Sequence, residues 1–139
     1  MTRVLLLAAG AIALAALWGG PFPGMAPSRF SAHMAMHMGV VALAAPLIAL
    51  GLSGGRFDPT RRAPGVFHPI AASIFELAAV WGWHAPALHH AARHATGALV
   101  LEQMTFLVAG LWLWLARVGA RRGGRMARAW TGVRGLLFT

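Results

Sequence analysis

The chain has 139 residues, 58% of them hydrophobic and 11% charged, proportions that exclude an ordinary soluble domain and describe one small unit built for a bilayer. Its formal net charge of +9 comes from arginine without a single lysine, set against Asp58, Glu76 and Glu102. Cysteine is absent, which excludes disulfides and thiolate metal sites, so any metal must rest on His, Met and carboxylate.

Four apolar segments, each near the ~20 residues that a helical crossing needs, predict an all-α polytopic membrane protein. The expected form is a four-transmembrane-helix bundle over residues 1–120 with a basic amphipathic helix at 121–139. The first segment, 4–21, is rich in Leu and Ala. One early arginine followed by Leu5-Leu6-Leu7 also fits a signal peptide, but no good small-residue cleavage site precedes Gly20, so the segment reads as a retained span. Gly19-Gly20-Pro21-Phe22-Pro23-Gly24 then breaks the helix.

The second segment, 32–52, opens on Ser31-Ala-His-Met-Ala-Met-His-Met38 and carries a predicted kink at Pro46. On a helix His33 and His37 lie one turn apart on one face, while Met34 and Met38 pair on the neighbouring arc. Thioether sulfur prefers Cu(I) to harder ions and neutral imidazole binds copper readily, so this mixture points to Cu(I). Methionine in a span more often only packs, and a His pair at an interface more often only anchors. The interleaving of both ligand types at the start of one span favours the metal.

The third segment, 66–83, follows Ser53-Gly54-Gly55 and a loop with Arg56, Arg61 and Arg62. His68, before Pro69, reads as structural. Glu76 sits near mid-span, where a carboxylate is costly unless protonated or paired, so it should face the interior. At the segment's end stands Trp81-Gly-Trp-His84-Ala-Pro86-Ala-Leu-His-His-Ala-Ala-Arg-His94, its tryptophans suited to a membrane interface. Pro86 can open a helix on which His90 and His94 fall one turn apart, with Glu102 two turns beyond His94. Of His89, His90 and His94, one or two at most are expected to coordinate. His84 with His90 or His94 would close a metal shell begun by His33, Met34, His37 and Met38, and Glu102 would accept from a histidine or approach the cation.

The fourth segment, 95–118, leads into a tail where Met126, Trp130, Val133 and Leu137 recur at helical spacing while Arg121, Arg125 and Arg128 mark another face. This pattern predicts an interfacial helix meeting anionic lipid head groups. Nucleic acid explains the basic tail less simply, and no RNA-binding aromatic motif accompanies it. Most arginines (3, 56, 61, 62, 117, 121, 122, 125, 128 and 134) fall on one side of a four-span arrangement, and only Arg29 and Arg93 on the other. Basic residues collect on the cytoplasmic side, so both termini should be cytoplasmic in a bacterial inner membrane. The His/Met run then sits near the outer surface.

The run His33-Met-Ala-Met-His37-Met, the Ala-Pro46-Leu downstream of it, Trp-Gly-Trp-His84-Ala-Pro86-Ala-Leu, and Glu102-Gln-Met-Thr-Phe106-Leu-Val-Ala-Gly110-Leu-Trp-Leu-Trp114 together resemble the CtaG-type cytochrome c oxidase assembly factors, over about residues 31–114. The resemblance implies a polytopic assembly factor for heme-copper oxidases with a copper-related role. Its partners would be the oxidase subunits and the surrounding lipid. His84, Pro86 and Glu102 match that family's pattern. Gln103 stands where a histidine is expected and Leu99 replaces another, so the chain resembles a shortened, divergent member. On this reading it binds Cu(I) at the outer surface and passes it to the apo-oxidase by ligand exchange, without catalysis.

Enzyme motifs are missing: there is no phosphate-binding glycine loop, no nucleophile triad and no zinc-protease helix. The rival readings are a heme-binding four-helix protein with axial imidazoles on facing spans, and a structural subunit packing through small residues. The arginine asymmetry yields a direct test of topology. A reporter fused after Thr139 should behave as cytoplasmic and one inserted between Gly19 and Gly24 as periplasmic; a C-terminal reporter found outside would overturn the assigned orientation.

Overall fold

A computed structural model describes the backbone of residues 2–137 and the side-chain surroundings of residues 2–120. The described residues form helices α1 (Thr2–Gly19), α2 (Phe22–Met25) and α3 (Phe30–Gly39), a π-helical turn (Val40–Ala44), then α4 (Ala45–Leu52), α5 (Pro59–Arg62), α6 (Pro69–His84), α7 (Pro86–His94) and α8 (Thr96–Leu137). There is no strand among them. The expected amphipathic face of the basic tail involves side chains outside the described residues.

Three stretches are long and apolar enough to cross a membrane: Thr2–Met25, Phe30–Leu52 and Thr96–Ala120. The segment expected as a fourth is shorter, because two prolines bracket it. His68 and Ala85, each preceding a proline, are extended at ψ 124° and 136°, as steric conflict with the proline ring requires. Pro69 and Pro86 each open a helix, where the missing N–H costs nothing. The resulting 16-residue α6 is about 24 Å long at 1.5 Å per residue, against a hydrocarbon core of roughly 30 Å.

The main packing runs as a row, α1 on α4, α4 on α8 and α8 on α6, with α7 laid across α8 and α6. Glycine lets the first pair approach closely. A Cβ added at Gly10 would fall 2.5 Å from Ile48 Cγ1 and 3.2 Å from the Ile48 nitrogen. Close backbone approach of this kind replaces the hydrophobic drive that lipid cannot supply. A small core of Val40, Trp83, Ala92 and Phe106, with Leu14, Leu17 and Trp18 packed against it, joins α1, the π turn, α6, α7 and α8.

The π turn follows from Pro46. Proline cannot donate, and its ring conflicts with the carbonyl four residues earlier. The chain accommodates this by widening the turn ahead of it, so that the Ala45 N–H bonds to the Val40 carbonyl. The Val41 carbonyl then takes its donor from another helix: the Trp114 indole N–H of α8 donates to it at 2.9 Å. Backbone groups freed at membrane depth are commonly satisfied by neighbouring helices in this way. A second indole ties α8 to the loop ahead of α6, Trp112 donating to the Val66 carbonyl at 2.9 Å.

Trp114→Phe should therefore destabilise the protein by about 1 kcal/mol, the net worth of one hydrogen bond to a part-buried carbonyl. In a Pro46→Ala background the loss should shrink, since alanine restores the backbone donor that proline lacks. A double-mutant cycle on unfolding in mixed micelles measures the coupling; equal losses in both backgrounds would separate Trp114 from the proline.

Candidate functional site

His33 and His37 occupy the first two turns of α3 and point inward with rings 4.4 Å apart at 80°. Ala32, Met36 and Val40 complete the buried flank, which faces α8. Glu102, in the second turn of α8, has no exposed surface. Its Oε1 lies 3.4 Å from His33 Nε2 and 3.5 Å from His37 Nε2. Donor atoms of all three residues fall within 4.8 Å of one another.

These separations are long for hydrogen bonds. They suit atoms sharing an ion, since two ligands at ~2.0 Å in a tetrahedron stand about 3.3 Å apart. Both nitrogens of His33, Nε2 of His37, Nδ1 of His89 and both oxygens of Glu102 are buried without a hydrogen-bond partner. Buried polar atoms are nearly always paired, so several bare donors converging on one point mark a place for a cation or water.

Two more imidazoles stand beside this trio. The His89 ring lies 5.1 Å from that of His33, and the His84 ring 6.0 Å from those of both His37 and His89. His84 is exposed, and its Nδ1–H donates to the Val80 carbonyl at 2.7 Å, leaving Nε2 as a lone pair. His89, on α7 outside the apolar spans, has its pKa lowered by loss of hydration and then by the charges of Arg93 and His84. It is therefore neutral near pH 7, as a ligand must be. Arg93 pins α7 over the site by donating to the carbonyls of Pro27 at 2.8 Å and Ala26 at 3.4 Å.

Of the residues expected from sequence, the structure brings together His33, His37 and Glu102 and sets His84 beside them. Met34 is only half-buried and Met38 is 57% exposed, off the flank that carries the histidines; the methionine on that flank is Met36. His90 and His94 lie against each other, rings 4.4 Å apart and tilted by 38°, on the exposed side of α7. The face expected to run from them to Glu102 is broken at Ala95, which is extended at φ −125°, ψ 119°. His89 takes their place: on a helix opened by Pro86, it shares a face with the buried Ala92 three residues on.

The polar chain behind His37 escapes a reading of the sequence. The Trp18 indole N–H donates to Gln103 Oε1 at 3.2 Å, and Gln103 Nε2 donates to His37 Nδ1 at 3.1 Å. A tryptophan near the end of one apolar span and a glutamine in another carry no local sign of meeting. Glu76, half-buried on α6, lies outside the His33, His37 and Glu102 cluster.

The family model for the cytochrome c oxidase caa3 assembly factor (Caa3_CtaG) matches residues 1–139, the whole chain. No curated protein and no solved structure matches it.

Proposed function

The chain belongs to the cytochrome c oxidase caa3 assembly factor family, and we propose that it serves oxidase assembly by carrying copper in the His33, His37 and Glu102 cluster. The single observation behind this reading is the convergence of buried, unpaired donors of two imidazoles and a carboxylate at 3.4–3.5 Å. Copper is the cargo, and handing it on requires exchange of ligands and no bond-making catalysis.

Imidazole accepts copper in either oxidation state, and Cu(II) heads the affinity order of the divalent first-row metals at such sites. With Met34 and Met38 off the cluster, the sulfur argument for Cu(I) alone weakens and the carboxylate admits Cu(II). His33 and His37 would supply the firm bonds. Glu102 would balance the charge, and His84 or His89 would complete the shell from the side toward solvent.

The site lies one to two helical turns inside the ends of the α3 and α8 spans that adjoin Arg29 and Arg93, the arginine-poor end. By the positive-inside rule this end faces outward in a bacterial inner membrane, and both termini are cytoplasmic. The four-span topology extends this reading, with α6 as a short fourth crossing around which the bilayer thins to fit. The heme alternative pairs His33 or His37 with His84 or His94; His94 lies beside His90 on the exposed side of α7, and the carboxylate that both α3 imidazoles face favours a bare cation over an iron already held by a porphyrin.

Copper titration of the detergent-purified full-length protein tests the proposal. Wild type should bind a single ion. His33→Ala combined with His37→Ala, or Glu102→Gln alone, should weaken binding by roughly 100-fold or more, beyond the 10–100-fold typical of an outer-shell loss. Met34→Ala with Met38→Ala, or His90→Ala with His94→Ala, should leave it within about threefold, since distant substitutions couple weakly to a site. Unchanged binding in the double histidine variant, or a stoichiometric Soret band in the purified protein, would overturn the reading.

A further inference from the structure

We propose that Trp18, acting through Gln103, holds His37 in the tautomer that cannot ligate an ion through Nε2, making both positioning residues that keep the site easy to unload. The inference deepens the copper reading and rests on it for its consequence, though not for the tautomer itself.

Donor counts fix the orientation of each group. An indole N–H can only donate, so the Gln103 amide must turn its oxygen toward Trp18, where the bond is 3.2 Å. That leaves the amide NH2 facing His37 Nδ1 at 3.1 Å. An NH2 group has nothing with which to accept, so Nδ1 must be the bare nitrogen and the proton of the neutral ring sits on Nε2. Amide orientation is ordinarily ambiguous; here the donor-only indole resolves it.

Nε2 is the atom that faces Glu102 Oε1, 3.5 Å away, and the atom that must present a lone pair to an ion. His84 provides the contrast. Its Nδ1–H donates to a backbone carbonyl, the arrangement that fixes metal-binding histidines with Nε2 free. His37 has the reverse arrangement, with a donor where a ligating histidine needs an acceptor.

Loading the site therefore needs a rearrangement. A proton leaves Nε2 and one is taken at Nδ1, so the ring stays neutral and no proton is gained or lost overall. With Nδ1 now a donor, the Gln103 oxygen must swing to it, and the amide NH2 then meets the Trp18 N–H donor to donor. The Trp18–Gln103 bond is forfeited only in the loaded state. The penalty lowers affinity without removing a ligand, as a carrier that must release its cargo requires.

The test uses the full-length protein in micelles with 15N-labelled histidine, assigned by loss of the His37 signals in His37→Ala. In metal-free wild type, His37 should show a protonated Nε2 and a bare Nδ1. Trp18→Phe should give a mixture of tautomers and bind copper about tenfold more tightly, the order of one neutral hydrogen bond. Gln103→Glu, whose carboxylate accepts from both Trp18 and Nδ1–H, should shift His37 to the Nδ1–H form and also bind more tightly.

A merely structural role predicts the opposite sign, since loosening the packing behind a ligand weakens binding. A wild-type ring protonated at Nδ1 would overturn the assignment, as would variants that bind copper no more tightly than wild type. Should wild type take up no copper, the copper reading falls, while the nitrogen spectra still decide whether Trp18 sets the tautomer.

Discussion

Glu102 sits without exposure two turns into an apolar helix, and the arrangement of α3, α7 and α8 follows from what that carboxylate requires. A carboxylate in hydrocarbon survives only with partners or a proton. The helix packed against it brings imidazoles to the same point. His33 and His37 on α3 set their Nε2 atoms 3.4 and 3.5 Å from Oε1, long for hydrogen bonds and suited to an ion shared among the three. His89 and His84 then gather around the polar centre, and Arg93 anchors the short helix that carries His89.

The same span that brings the histidines carries Pro46 two turns later, and the two features are coupled by helix geometry. A π turn inserts an extra residue into the helical cycle and rotates whatever follows relative to whatever precedes it. Val40–Ala44 therefore lets α3 aim its histidines at α8 while α4 keeps its small residues against α1 and α8. Gly110 of α8 shows how close that second contact is: a Cβ there would stand 3.0 Å from Ala45 Cβ and 3.4 Å from Val41 Cα. The Trp114 indole pairs the carbonyl left over at Val41. A proline that would weaken an isolated helix is thus built into the contact that positions the site.

The elements legible in sequence were those set by local rules. Apolar length marked 4–21, 32–52 and 95–118, which overlap the stretches Thr2–Met25, Phe30–Leu52 and Thr96–Ala120, and the i to i+4 spacing of His33 and His37 placed both rings on one flank. The conclusion that Glu102 must find a partner came from burial energetics alone and led to the right neighbourhood. The length of α6 was also written in Pro69 and Pro86, but an apolar run that continues across a proline hides the break. Which flank of α3 turns inward could not be read locally, because it depends on where α8 packs. That is why Met34 and Met38 looked like ligands while Met36 lies on the buried side. The bend at Ala95 has no proline or glycine at the position itself. It arises only because α7 folds back on α8, and it moves His89 inward and His90 and His94 outward.

The most distant contribution comes from α1, which packs on α4, the π turn and α3 and reaches the His37 ring through the Trp18–Gln103 hydrogen bond. Read as a leader segment, α1 would owe nothing to the rest of the chain. In the fold its Gly10 closes against Ile48 and its Leu17 against Gly39, and its indole fills a polar position that no other described side chain satisfies. Removing such a helix would expose the small-residue flank of α4 and release the Gln103 amide to turn either way. A residue on the first span thereby decides the proton position on a ring of the second through a side chain of α8, so the chemistry of the cluster belongs to three helices and not to the two that carry its donors.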